Sequence, residues 1–185
     1  MKLKKIFITV IIAILICCSL VAVKVAIKTY YFPIKHEEYI LKYSNENNLD
    51  PFLVLAVIKA ESKFNSDARS HKDAIGLMQI TPDTAKWAAK EMGLGDFKSE
   101  YLLDEEYNIR MGCWYLANLR EEFKKQDLYI AAYNAGRGRV NAWLQDKNYS
   151  SDGNSIDYIP YSETKKYVDR VNTYYRIYKF LYKEF

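Results

Sequence analysis

A chain of 185 residues, half of them apolar, is long enough for one globular core of ordinary size and a short appendage. Its formal charge of +4 comes from one end: Lys2, Lys4, Lys5, Lys24 and Lys28 all precede residue 29, where no acid stands, and setting them aside leaves 22 basic against 23 acidic residues. A net charge near −1 over the remainder excludes nucleic acid as the expected partner, since phosphate binding needs a concentrated basic face.

The first element is apolar. Residues 6–23 form an 18-residue stretch without a charge, preceded by three lysines, which is the length of a membrane-spanning helix. A cleaved signal peptide has an apolar core of about 7–15 residues and a small-x-small cleavage site. Lys24 interrupts the one Ala-rich window here, at residues 22–26, so an uncleaved signal anchor over residues 1–28 is the favoured reading and a cleaved leader the alternative. The amino-terminal lysines then stay in the cytoplasm and everything after about residue 29 faces outward. Cys17 and Cys18 lack the small preceding residues that lipidation requires. Cys113 alone lies outside the apolar segment, so the exported part has no internal disulfide, and Cys113 reads as a small buried helical residue.

Residues 29–36 read as a linker containing Pro33, and residues 37–185 as one all-helical domain with no convincing strand periodicity. Asp50-Pro51 is a helix start, with Asp as N-cap and Pro at the first helical position, followed by an apolar run over 52–58 and an end near residue 63. Thr81-Pro82 repeats the signal for a helix to about residue 92, closed by Gly93 and Gly95. Asp104 opens another, in which Tyr107, Met111, Trp114, Tyr115 and Leu119 recur every three or four residues. A helix over about 126–135 stops at Gly136, a shorter one follows over 138–145, and residues 146–158 form a polar connection. The last helix, about 162–182, carries Tyr167, Val168, Val171, Tyr174, Tyr175, Tyr178 and Leu181 on one face, read as core packing.

Glu61 follows Val54, Val57 and Ile58 by seven, four and three residues, which sets a carboxylate on the apolar face of its own helix. Partial desolvation there, together with the negative end of the helix dipole, raises its pKa, as a general acid requires. From spacing alone a solvated residue at a frayed helix end is the favoured reading. Three segments weigh on the choice: Gly76-Leu77-Met78-Gln79, Ala132-Tyr133-Asn134-Ala135-Gly136, and Ile159-Pro160-Tyr161-Ser162-Glu163-Thr164 just before Tyr167. They supply flat aromatics for pyranose faces and amides and hydroxyls for ring substituents, although each also reads as a turn or cap.

The chain resembles the soluble-type (SLT) lytic transglycosylases, which share a goose-lysozyme-like fold. Their first motif is matched by Glu61-Ser62-x-Phe64-Asn65 with Ser70 nine residues after Glu61, then Gly76-Leu77-Met78-Gln79; their second by Ala132-Tyr133-Asn134-Ala135-Gly136; their third by Ile159-Pro160, Glu163-Thr164 and Tyr167-Val168. The resemblance spans about residues 37–180. It implies a lysozyme-like, α-rich fold with at most a minor β element, no cofactor, and Glu61 as sole catalytic carboxylate. Glu61 would first protonate the glycosidic oxygen between N-acetylmuramic acid and N-acetylglucosamine, then act as base on the sugar's own 6-hydroxyl to leave a 1,6-anhydro end. Ser70, Gln79, Tyr133, Asn134, Glu163 and Tyr167 map onto glycan-contacting or Glu-supporting positions.

Two departures stand out, Ser66 where proline is usual and Asp73 where glycine is usual. Asp67 or Asp73 could serve as the second acid of an ordinary glycosidase, making the protein a lysozyme-type hydrolase of the same bond. A non-catalytic wall-binding module would keep the aromatics and dispense with the acid. His36 and His71 lie far apart and in no ligand-spaced cluster, so no metal is expected. The expected partners are therefore peptidoglycan glycan strands and the cytoplasmic membrane.

Overall fold

The structure, a computed structural model, describes residues 2–182. It divides into two compact units, one ending at Lys35 and the other starting at His36. The first is a single helix, α1 (Lys2–Ala26), prolonged by one π-helical turn, Ile27–Tyr31. From Ile6 to Tyr31 it is long and apolar enough to cross a membrane, and its isoleucines, leucines and valines up to Val25 are exposed. Helical backbone thus extends to Tyr31, and the irregular connection is confined to residues 32–36.

The second unit contains α2 (Glu37–Glu46), α3 (Pro51–Glu61), α4 (Pro82–Glu91), α5 (Glu105–Phe123), α6 (Gln126–Ala135), α7 (Arg137–Gln145) and α8 (Ser162–Leu181). Among the described residues there is no strand, only isolated antiparallel bridges pairing Arg69 with Ile75 and Ile75 with Ile80. Three starts are side-chain caps that satisfy orphan backbone donors. Asp50 accepts from Phe52 N at 2.9 Å, Thr81 from Thr84 N at 3.3 Å, and Asp104 from Tyr107 N at 2.8 Å. A short 3-10 turn, Ser99–Leu103, precedes α5 and buries Leu102.

Helix α3 is buried on every side from Phe52 to Ile58, as expected of a helix apolar all round. It packs against α8 and α2, while α6 packs on α5, α7 and α8. On α8, Tyr167, Val168, Val171, Tyr178 and Leu181 are buried, and Tyr174 and Tyr175 are half-buried at the edge of the same face. Tyr175 donates to Asp50 Oδ2 at 2.6 Å, so the carboxylate that caps α3 also ties it to the far end of α8. Cys113 is fully buried on α5, and burial pushes its thiol well above the usual range.

Candidate active site

Glu61 is the last residue of α3. The chain then reverses sharply through Lys63 and Phe64, both with positive φ (53° and 66°), a conformation that non-glycine residues adopt at a cost of order 1–3 kcal/mol each. Ser62 holds the reversal: its hydroxyl donates to Ile58 O at 3.2 Å and accepts from Phe64 N at 3.1 Å, and Phe64 is itself buried. The helix therefore ends abruptly at the carboxylate instead of fraying.

The carboxyl is densely surrounded yet keeps an opening to solvent. Burial drives its pKa from the ordinary 4.5 up to about 7, and the Tyr167 hydroxyl and the more distant Arg170 charge pull the other way. Tyr167 is 2 % exposed, and its hydroxyl is buried without a well-formed hydrogen bond. It nevertheless lies close enough to the carboxyl for each to shift the other. Tyr133 stands on α6 and also feels the Glu61 charge; its hydroxyl donates to Met78 O at 2.8 Å.

Met78 belongs to a loop built around one buried amide. Asn108, on α5, accepts from Met78 N at 2.8 Å and donates to Ile75 O at 2.9 Å and Leu102 O at 2.8 Å. Gly76 (φ +80°) approaches so closely that a Cβ there would lie 2.2 Å from Asn108 Nδ2 and 2.5 Å from Leu102 O. Gly112 makes room in the same way, since a Cβ on it would fall 2.2 Å from Met78 Sδ. Gln79 (φ +49°) donates to the Ala68 and Gly76 carbonyls at 3.0 Å each, closing the loop from its other side.

Gln79, Tyr133 and Asn134 line one cavity of about 210 Å³, with Thr81, Thr84 and Tyr115 completing its walls. Tyr115 lies 5.5 Å from Tyr133, centroid to centroid, and leads on to Trp87 at 6.3 Å. Ser70 serves its own loop, its hydroxyl accepting from Lys72 N at 3.2 Å and Ala74 N at 3.1 Å. Asp73 occupies the left-handed region (φ 58°) that glycine favours, and its N–H still closes onto Ser70 O at 3.2 Å, so the substitution leaves the turn formed. Glu163 is exposed at the start of α8 and lies 3.8 Å from Lys72, a loose pair joining the two rims. Asp67 and Asp73 are both solvent-exposed. A larger hollow, about 590 Å³, lies elsewhere, between α6 and α8, and is lined by Gln126, Asn172 and Arg176 without any of these residues.

The structure thus groups Glu61 with Tyr133 and Tyr167, sets Gln79 and Asn134 on the adjoining cavity, and leaves Ser70 in a supporting loop and Glu163 on the rim. Sequence reasoning missed Asn108, Tyr115 and Arg170. Asn108 carried a readable signal, a lone amide on the apolar side of α5 between Asp104 and Met111. Nothing local distinguishes Arg170 from the other basic residues of α8.

An all-helical domain with a buried acid at the end of its central helix is of the lysozyme-like class, and solved structures agree. The lytic transglycosylase Slt of Pseudomonas aeruginosa, in an inactive mutant, superposes with a TM-score of 0.70 at 33% identity, over 81% of this chain and 26% of that one. The 70-kDa soluble lytic transglycosylase in complex with bulgecin A gives 0.71 at 31% identity, over 80% and 25%. The family model of the transglycosylase SLT domain matches residues 38–156, and the chain belongs to that family. Soluble lytic murein transglycosylase of Escherichia coli K12 is 34% identical over 80% of this chain and 24% of its own length. Membrane-bound lytic murein transglycosylase C of Cronobacter sakazakii is 32% identical over 74% and 44%. The chain spans about a quarter of the soluble relative and under half of the membrane-bound one.

Proposed function

We propose that this chain is a membrane-anchored lytic transglycosylase, which cleaves the β-1,4 bond between N-acetylmuramic acid and N-acetylglucosamine in peptidoglycan without water and leaves a 1,6-anhydro end. The observation that carries the reading is the Glu61 carboxyl, held at a pKa of about 7 by burial. Such a group is half protonated near neutrality and can give a proton to the leaving oxygen and then take one from the 6-hydroxyl. Tyr167 and Tyr133 flank it, and the cavity of Gln79, Asn134 and Tyr115 offers amide and aromatic surface for sugar rings. The exposed Asp67 and Asp73 give a water-activating base little support. The apolar α1 and the membrane-bound relative support anchoring, with Lys2, Lys4 and Lys5 on the cytoplasmic side and the domain outside.

The test is mass spectrometry of products released from purified peptidoglycan by the full-length protein in detergent, beside Glu61→Gln. The expected result is muropeptides lighter by one water than reducing ones, reduced at least 10³-fold in the variant. Reducing ends that depend on Glu61 would make it a hydrolase. Absence of products from a folded, wall-binding protein would make it a binding module.

A further inference from the structure

Behind the site, α8 turns a second face to solvent. Asp169, Asn172 and Arg176 lie roughly 140–200° round the helix from Tyr167, so they stand on the side away from the one that meets Glu61. There the hollow of about 590 Å³ runs on into two others, of about 220 and 290 Å³, all three sharing Asp127. Together they form one trough along α8 from Lys165 to Arg176, roughly 17 Å by helical rise. Gln126 donates to Asn172 Oδ1 at 2.8 Å and Asn172 donates to Asp127 Oδ1 at 2.7 Å, which fixes both amide planes and leaves each a further N–H and lone pair. At one end Tyr158 is 55 % exposed and braced by the Tyr149 ring at 5.5 Å and 78°, so its plane is held while part of its surface stays open.

Charge narrows the choice of ligand. Three carboxylates, Asp127, Asp157 and Asp169, and three cations, Lys125, Lys165 and Arg176, line the trough, which therefore carries no net charge. Asp169 is paired with Lys165 at 2.8 Å, and Asp157 accepts from Ser151 N at 3.0 Å. A polyanion or a basic segment needs a surplus of the opposite sign, which the trough lacks. An uncharged polyhydroxylated chain needs what is present, fixed amides and a carboxylate for its hydroxyls and a flat ring for a pyranose face. Because these groups are ordered before binding, little side-chain entropy is lost when a ligand arrives. We propose that this trough is a second, non-catalytic carbohydrate site, which holds an uncharged glycan strand on the face of α8 opposite Tyr167. The choice of glycan as ligand rests on the transglycosylase reading above.

The experiment is calorimetric titration of the full-length Glu61→Gln protein in detergent. The probe is a set of short glycan oligomers from peptidoglycan stripped of peptide by an amidase, too short to bridge two sites. The expected result is two oligomers bound per protein. Tyr158→Ala, and separately Thr173→Arg, which fills the hollow from an exposed position on α8, should each weaken one binding event about tenfold and leave the other unchanged. Thr173 lies outside the 146–158 connection, so it tests the trough even where Tyr158→Ala disturbs that loop. Either variant leaving both events unchanged, or weakening both alike, overturns the proposal. The product analysis above fails separately: two oligomers bound without cleavage would leave the trough and remove the enzyme, and cleavage with a single oligomer bound would leave the enzyme and remove the trough.

Discussion

At the scale of single residues, the acid of the site is stabilised as a reagent at the expense of the fold. The Glu61 pKa of about 7 lies above its ordinary 4.5, so the native state holds a proton that the unfolded chain would release. Stability is then fully present below about pH 4.5, declines as pH rises to about 7, and is lower by about 3 kcal/mol beyond. Glu61→Gln should therefore raise the thermal midpoint at pH 8 and leave it nearly unchanged at pH 4.5, as calorimetry at the two values would read. Equal shifts at both would mean that the carboxyl is not desolvated. Tyr167 favours the charged form, so Tyr167→Phe should move the alkaline limb of the pH–rate profile upward, a shift that a purely packing role would not produce.

At the scale of elements, the loop from Ala68 to Ile80 depends on α5 through a single amide. Asn108→Leu would strand Met78 N, Ile75 O and Leu102 O, and should cost about 2–5 kcal/mol in denaturant unfolding. Gly76→Ala should fail in the same way, by collision with backbone and by a φ that alanine resists. The helix starts were legible because Asp50-Pro51, Thr81-Pro82 and Asp104 carry their signals within a few residues. The Ser99–Leu103 turn was not, since it is held by Leu102 entering the core and by the distant Asn108. Periodicity likewise placed Met111 and Leu119 in the core, while Trp114 and Tyr115 on the same stripe turn half-exposed toward Trp87. Within the site, spacing placed Glu61 on the apolar face of α3, and the motif resemblance was needed to read it as the acid. The partners that tune it come from α6 and α8, some 70 to 110 residues away, and were reached through the motif resemblance for Tyr133 and Tyr167 and not at all for Arg170.

At the scale of the whole molecule, the charge imbalance that first looked basic resolves into two parts, a lysine-flanked apolar helix and a nearly neutral domain with local polarity. If α1 is an uncleaved anchor, the chain should stay in the membrane pellet after carbonate extraction. Protease added to intact spheroplasts should digest the domain and spare an amino-terminal fragment; a fully protected domain would mean the opposite orientation.

The connection between the two units has a consequence of its own. Five residues, 32–36, separate the end of the helical backbone from α2. Fully stretched, they reach roughly 17 Å. On the anchoring proposed above, a domain leashed so closely to a bilayer would explore a thin sheet instead of a volume, and its hunt for strands would become two-dimensional. How often it meets a given stretch of wall is then governed by lateral diffusion and by the number of copies per unit of membrane area, not by the affinity of the cleft.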